Sequence, residues 1–334
     1  MDGVQPTATF SENTVVLSAG ERATILAVTS SLPFFRIQDL DAKLVQKIAG
    51  LKGCLPNRLV ARLNAFRDLA GQPAALLIRD LPVDDALPPT PQDGRPSPRK
   101  HSRLSEHSLL LVMSVIGPPV GYAEEKQGNL IHDVCPKPGD EQEQANTGSQ
   151  YFDVHTENAF HPFRPDFVGL ICLRPDHYRT AETLTASAGE VLPLLSAGEV
   201  GLLRQPLFQT QMPASFSAAP EVGAFSPAVA VLYGSTNDPC LRVDAFNTRG
   251  VTDEAQTALR ALVAALQSKL TGWRLEPGDL MIVDNRRAIH ARSAFRPQYD
   301  GHDRWLQRLY TVTDLASSSA VRVAGSYVCG ALAP

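Results

Sequence analysis

Three side chains able to share a metal ion, His155, Glu157 and His290, sit on strand-like runs more than a hundred residues apart. A closed or sandwiched β architecture brings such distant runs together. In "YFDVHTENAF" an extended backbone places residues i and i+2 on one face, so His155 and Glu157 point the same way and Thr156 points away. Around His290 the run "DLMIVDNRRAIHARSAF" reads as strand, turn and strand, with "PGD" and "DN" as turn signals and His290 beginning the second strand. "RWLQRLYTVTD" is a further strand, which puts Arg304 on the next strand over and Arg308 on the same face as Arg304.

Other segments fit the same class. Residues 1–119 carry helical periodicity in "DAKLVQKIAGL", in "PNRLVARLNAFRDLAG" with Pro56 near its start, and in "LSEHSLLLVMSVIG". "AALLIRDL" reads as a strand, and the Pro-rich "LPPTPQDGRPSPRK" as a loop. From about residue 120 the pattern turns β-rich, with "NLIHDV", "FVGLICL", "AVAVLY" and "CLRVDAF" as strands. Two helices, "SAGEVGLLRQ" and "TDEAQTALRALVAALQSKL", interrupt it, the longer one capped by Thr252. No internal repeat is present. Many short strands with inserted helices predict a mainly β fold, a double-stranded β-helix (jelly roll, cupin-like) core with an N-terminal helical region.

The residue types suggest a chemistry. Two imidazoles and one carboxylate on one face of a metal leave positions open, the arrangement of Fe(II) sites that take a cosubstrate and then O₂. The planar, always charged guanidinium of Arg304 suits the far carboxylate of a 2-oxo acid whose other end chelates the iron, and 2-oxoglutarate is the candidate. Each part alone is weak. A lone His-x-Glu arises by chance, His290 could be a hydrogen-bonded core histidine, and Arg304 and Arg308 could be ordinary strand charges. A zinc hydrolase could use the same triad around a bound water, though it would have no use for Arg304. A non-catalytic metal-binding β-sandwich is a further alternative.

The stretches "HTENAFHPFRPDFVGLICLRPDH" (155–177) and "PGDLMIVDNRRAIHARSAFRPQYDGHDRWLQRLY" (277–310) resemble the clavaminate synthase-like group of Fe(II)/2-oxoglutarate oxygenases, which includes asparagine oxygenase and arginine and lysine hydroxylases. The resemblance extends over most of residues 120–315. It rests on glutamate in the first motif and an arginine fourteen positions after the distal histidine. It implies iron ligands His155, Glu157 and His290, with 2-oxoglutarate on Arg304 and helped by Thr183, for which Thr185 is the fallback. It further implies that Arg308 meets the α-carboxylate of an amino acid, with Glu125 and Asn146 approaching the same substrate beside Glu157. Gln127 and Gln150 are neighbouring alternatives for these two. Asp244 matches an acidic position that contacts the polar end of the substrate side chain. Where arginine and lysine hydroxylases add a second acid, this chain has Phe246, which keeps asparagine and citrulline in contention.

The implied reaction is hydroxylation of an unactivated C–H, at C3 or C4 of a free L-amino acid such as arginine, lysine, asparagine or citrulline. Succinate and CO₂ are released, and ascorbate is the reductant expected in vitro. A desaturase or cyclase of the same family is the nearest alternative. A place in natural product biosynthesis is implied by the family alone.

The domain reading is one oxygenase domain over 1–334: a helical region at 1–119, a jelly-roll core at 120–315 and a tail at 316–334. A lid at 121–150 leads into the first metal motif. Asp284 and Asn285 are read as turn residues. A net charge of −4 and scattered basic residues exclude an electrostatic footprint for nucleic acid. No secretory leader or membrane-length apolar run is evident, so a cytoplasmic protein is expected. The five cysteines have no metal-like spacing and read as reduced thiols, chiefly in the core.

Overall fold

The computed structural model describes residues 13–68, 73–216 and 224–331. Its N-terminal region runs β1 (Thr14–Val16), α1 (Ala19–Ser30), α2 (Ala42–Ala49), α3 (Asn57–Asp68), β2 (Ala75–Arg79), α4 (Leu104–Ile116) and β3 (Pro119–Tyr122). Next come β4 (Ile131–Val134), β5 (Phe152–His155), β6 (Phe167–Arg174), β7 (Thr183–Ser187), α5 (Ala188–Val191), α6 (Ala197–Leu203) and β8 (Phe208–Thr210). The chain continues through β9 (Leu232–Gly234), β10 (Pro239–Leu241), β11 (Thr248–Gly250), α7 (Asp253–Ser268) and β12 (Thr271–Trp273). It closes with β13 (Leu280–Asp284), β14 (Ala288–Arg292), β15 (Trp305–Thr311) and β16 (Val328–Cys329).

Two sheets make the jelly roll. The larger has the order β1-β2-β13-β6-β15-β3-β16, with β4 also on β15, and the smaller has the order β12-β7-β14-β5. Alternation along each strand decides what each face meets. Leu280 and Ile282 of β13 join the helices α1 to α4 in one apolar cluster, whereas Met281 and Val283 join Leu170, Leu306 and Trp273 between the sheets. On the smaller sheet Ile289 and Ala291 of β14 pack with Leu259, Leu262 and Leu266 of α7. His290 and Arg292, on the opposite side of β14, therefore face inward.

Several expectations need correction. The strand, turn and strand around His290 are present, but β13 pairs with β2 and β6 while β14 pairs with β5 and β7, so the turn carries the chain from one sheet to the other. His290 lies in the middle of β14. Arg304 is the residue before β15, a strand of the sheet facing β14 and not its neighbour. The stretch 121–150 contains β4, the strand expected at "NLIHDV", whose backbone pairs with β15 from Ile131 to Val134 and is buried there. The stretch read as a C-terminal tail supplies β16, parallel to β3. "AVAVLY" enters a strand only at Leu232 and Tyr233, and "CLRVDAF" only at Cys240 and Leu241. α1 was not expected from periodicity. Its legible signal is a capping box, in which Glu21 N–H donates to the Ser18 hydroxyl while Ser18 N–H donates to the Glu21 carboxylate.

Cys135, Cys172 and Cys329 are buried free thiols, Cys240 is half-buried and Cys54 is exposed, which agrees with reduced, mostly packed cysteines. Among the described residues no helix is long and apolar enough to cross a membrane.

Candidate metal and cosubstrate site

β5 and β14 set His155 directly opposite His290, with ring centroids 4.3 Å apart. β5 ends at His155, so Glu157 lies just past the strand, before Asn158 turns the chain at a φ of 51°. The Glu157 side chain still joins the histidines: donor atoms of His155, Glu157 and His290 all lie within 4.8 Å of one another, and all three residues are buried. Thr156 faces away and accepts a hydrogen bond from Val243 N–H at 3.2 Å.

Asn285 holds Glu157 in place. Its Oδ1 accepts from Glu157 N–H at 2.7 Å, and its Nδ2 donates to the carbonyls of Glu157 at 3.2 Å and Pro165 at 2.8 Å. The turn reading of Asp284 and Asn285 holds, since Arg287 N–H donates to the Asp284 carbonyl at 3.0 Å, but Asn285 also fixes the carboxylate-bearing backbone.

The donor set fits a metal. His155 Nδ1 donates to the Asp153 carbonyl at 2.8 Å, which leaves Nε2 unprotonated for a cation. Glu157 Oε2 is buried without a hydrogen-bond partner, and it stands 3.3 Å from His290 Nε2 without hydrogen-bond geometry. Burial, reinforced by the nearby His290, pushes the His155 imidazole down to about 4. Burial opposes ionisation of Glu157, yet the Arg308 guanidinium and both imidazoles outweigh it and hold the carboxyl well below the usual carboxylate range. A neutral His155 imidazole and an ionised Glu157 carboxylate are in the forms that a divalent iron requires of such ligands.

A cleft between the sheets is lined by Glu157, His290, Thr183, Arg304, Arg308 and Asn146. A larger depression, beside Ala75, Thr185 and Ala288, contains none of the triad. Size does not mark the chemistry here. Thr183 faces the cleft, while the fallback Thr185 spends its hydroxyl accepting from Trp273 Nε1 at 3.0 Å. Arg304 is 6% exposed, and its guanidinium lies 5.9 Å from the Phe295 ring centroid. Among the described residues no carboxylate pairs with it, and burial lowers its pKa.

Arg308 anchors the other half of the cleft. Its Nη1 donates to Glu157 Oε1 at 3.0 Å, and its Nη2 donates to Glu125 and meets His132 Nδ1 at 3.0 Å. Tyr310 hydroxyl donates to the same Glu125 oxygen at 3.1 Å. With its amide oxygen turned toward Arg308, Asn146 accepts from Nη1 at 2.9 Å and Nη2 at 3.3 Å. Gln127 and Gln150 are exposed, whereas Glu125 and Asn146 are half-buried and both meet Arg308.

Asp244 stands apart from the cleft lining. It forms a bridge to His155, but its carboxylate accepts from Phe246 N–H at 3.0 Å and from Asn247 N–H and Nδ2, both at 2.9 Å. Phe246 is 69% exposed. Sequence reasoning missed His132, Tyr310 and Arg292 at the site. The i, i+2 spacing of Arg292 from His290 was the signal available for the last of these.

The model of the taurine catabolism dioxygenase TauD, TfdA family matches residues 54–310, well over half of the chain. The chain is 44% identical to L-asparagine oxygenase of Streptomyces coelicolor over 87% of its own length and 86% of the relative's. It is 37% identical to clavaminate synthase 2 of Streptomyces clavuligerus over 88% and 90% of the two lengths. A solved structure of asparagine oxygenase with Fe(II), 2S,3S-3-hydroxyasparagine and succinate superposes with a TM-score of 0.89 at 40% identity, over 96% of this chain and all of that one. The chain thus belongs to the TauD/TfdA family of 2-oxoglutarate-dependent non-haem iron dioxygenases, in the group that contains clavaminate synthase.

Proposed function

We propose that this dioxygenase hydroxylates a free L-amino acid at C3, with asparagine as the leading substrate, and that the whole chain works as one cytoplasmic oxygenase domain. Its partners in this reading are small molecules, with neither nucleic acid nor membrane. His155, Glu157 and His290 hold Fe(II), and Arg304 with Thr183 holds the far carboxylate of 2-oxoglutarate. The observation that carries this is a buried arginine, with no carboxylate partner among the described residues, in a cleft lined by Glu157 and His290, two of the three converging metal donors. When bound, Fe(II) with 2-oxoglutarate and O₂ supplies the oxidising power, and the cosubstrate leaves as succinate and CO₂.

The protein's own task is to hold the amino acid. Arg308 already pairs with Glu125 and Glu157, so a zwitterion enters by exchange: its carboxylate takes Arg308, while its ammonium takes Glu125 and the Asn146 carbonyl. The charge balance of the buried site is unchanged by that exchange, which favours a free amino acid over a peptide. Both anchors adjoin Glu157, so the first side-chain carbons of the substrate point at the metal. Asp244 meets the far end of the side chain. Its carboxylate is partly engaged by its own turn, and the place of a second acid is taken by Phe246, so a neutral amide suits it better than a cation.

The test is mass spectrometry on protein supplied with Fe(II), ascorbate, 2-oxoglutarate and a panel containing asparagine, arginine, lysine and citrulline. Succinate formed in step with 3-hydroxyasparagine is expected. Coupled formation of a hydroxylated cationic amino acid instead would overturn the substrate reading, and a product that has lost two hydrogens without gaining oxygen would indicate a desaturase.

A further inference from the structure

We propose that Arg292 is a second cation for the far carboxylate of the cosubstrate and that it ties this carboxylate to the loop carrying Asn146. The inference rests on the assignment of Arg304 to 2-oxoglutarate.

Arg292 lies two residues after His290 on the inward face of β14, in direct register with Thr183 of β7. It is 6% exposed and lines the same cleft as Thr183 and Arg304. Its guanidinium lies 5.4 Å from the Phe295 ring centroid, the ring that Arg304 approaches at 5.9 Å. Two buried guanidinium groups thus converge on one ring and one cleft. Neither makes an ion pair with a carboxylate among the described residues; Arg292 donates only to the carbonyls of Ala145 at 3.4 Å and Gln150 at 2.9 Å, and its Nε is buried with no partner.

Like charges gathered in a low-dielectric pocket repel each other and need an anion. The family's cosubstrate has two carboxylates. One is engaged beside the keto group at the metal, so the other is the anion available at this end of the cleft. Carbonyls flanking Asn146 are the remaining partners of Arg292, and the Ser149 carbonyl nearby accepts from Phe295 N–H at 3.0 Å. Filling the anion site therefore relaxes the repulsion behind the loop segment that presents Asn146 to the amino acid. Cosubstrate bound there should tighten amino acid binding through Arg292.

Anaerobic calorimetry on the Fe(II)-loaded protein tests this, with 2-oxoglutarate and with 2-oxobutyrate, which lacks the far carboxylate. Arg292→Met should weaken 2-oxoglutarate roughly tenfold or more while 2-oxobutyrate changes less than about twofold, and Arg292→Lys should fall between Arg292→Met and the natural protein. In Arg292→Met the tightening of asparagine binding by 2-oxoglutarate should also disappear. Equal weakening of both 2-oxo acids, or of neither, would overturn the proposal and leave Arg292 as a loop support. If Arg292→Met does not fold, the comparison of Arg292→Lys and Arg292→Gln on the same two ligands decides it. Arg304→Met is titrated alongside: if it binds 2-oxoglutarate normally, the cosubstrate assignment has failed, and not only the role of Arg292.

Discussion

Replacing Asn285 with alanine removes the polar clamp on the backbone that carries Glu157. The Asn285 side chain is fully buried and makes three hydrogen bonds, at 2.7, 3.2 and 2.8 Å, to Glu157 N–H, Glu157 carbonyl and Pro165 carbonyl. Each such bond contributes about 1 kcal/mol net, and a buried N–H left without a partner costs about 1 to 3 kcal/mol more. Asn285→Ala should therefore lower unfolding free energy by about 4 to 6 kcal/mol in the metal-free protein. Because the clamp also aims Glu157, Fe(II) affinity should fall roughly tenfold to a hundredfold, as when groups supporting a metal ligand are lost. Urea unfolding of the apoprotein measures the first effect, and anaerobic titration with Fe(II) the second. Asn285→Asp separates them, since it keeps an acceptor for Glu157 N–H but sets a carboxylate against two carbonyls. An Asn285→Ala protein with natural iron affinity and less than about 1 kcal/mol of lost stability would refute the idea that this side chain positions the metal carboxylate.

Three further outcomes are expected. Arg308→Lys keeps the charge but loses the forked contact to Glu125 and Glu157, so the KM for the amino acid should rise by at least about tenfold while 2-oxoglutarate binding stays within about threefold; a rise confined to 2-oxoglutarate would reassign the residue. Burial raises the carboxyl of Asp133 to about 6, although Trp305 Nε1 and Gln307 Nε2 donate to it at 2.8 and 3.1 Å. Its folded pKa lies above the unfolded value, so the protonated form favours folding. Stability should fall by about 3 kcal/mol as pH rises from about 4 through about 6, and Asp133→Asn should remove that slope in denaturant titrations at several pH values. Stripping the metal with a chelator, or His290→Ala, should abolish succinate production, and iron should restore the first case only; turnover by a zinc-loaded, iron-free sample would contradict the oxygenase site.

Elements of the site differ in how far they could be read from the chain. The triad was legible because its signal is local and chemical: residue type, an i, i+2 pair and a distant histidine in a strand-like run. Glu125 and Asn146, proposed to meet the substrate, could be named through resemblance, but that these two and not Gln127 and Gln150 reach Arg308 emerged only from the folded structure. His132 and Tyr310 were invisible, since nothing in "NLIHDV" or "RLYTVTD" announces that two strands will pair and bring both side chains to Arg308 and Glu125. The stretch 121–150 shows the same division, since the strand "NLIHDV" inside it was legible but its partner was not. Its polar residues dominate the composition, while the four residues of β4 that bury the middle of the segment gain their role from β15.

What the sequence determined by itself was the alphabet of the site and the periodicities of the elements that carry it: His155, Glu157, His290 and Arg304, and a mainly β chain with helices laid on it. Alternation of side chains is a property of each strand alone, so it can be read without a partner. The tertiary structure decided which strands face each other. The turn after Asp284 moves the chain between sheets, so the histidines come from the small sheet, Arg304 and Arg308 come from the large one, and the cleft is the space between them. Pairing across two sheets depends on contacts between residues far apart in sequence, and no local pattern encodes those contacts.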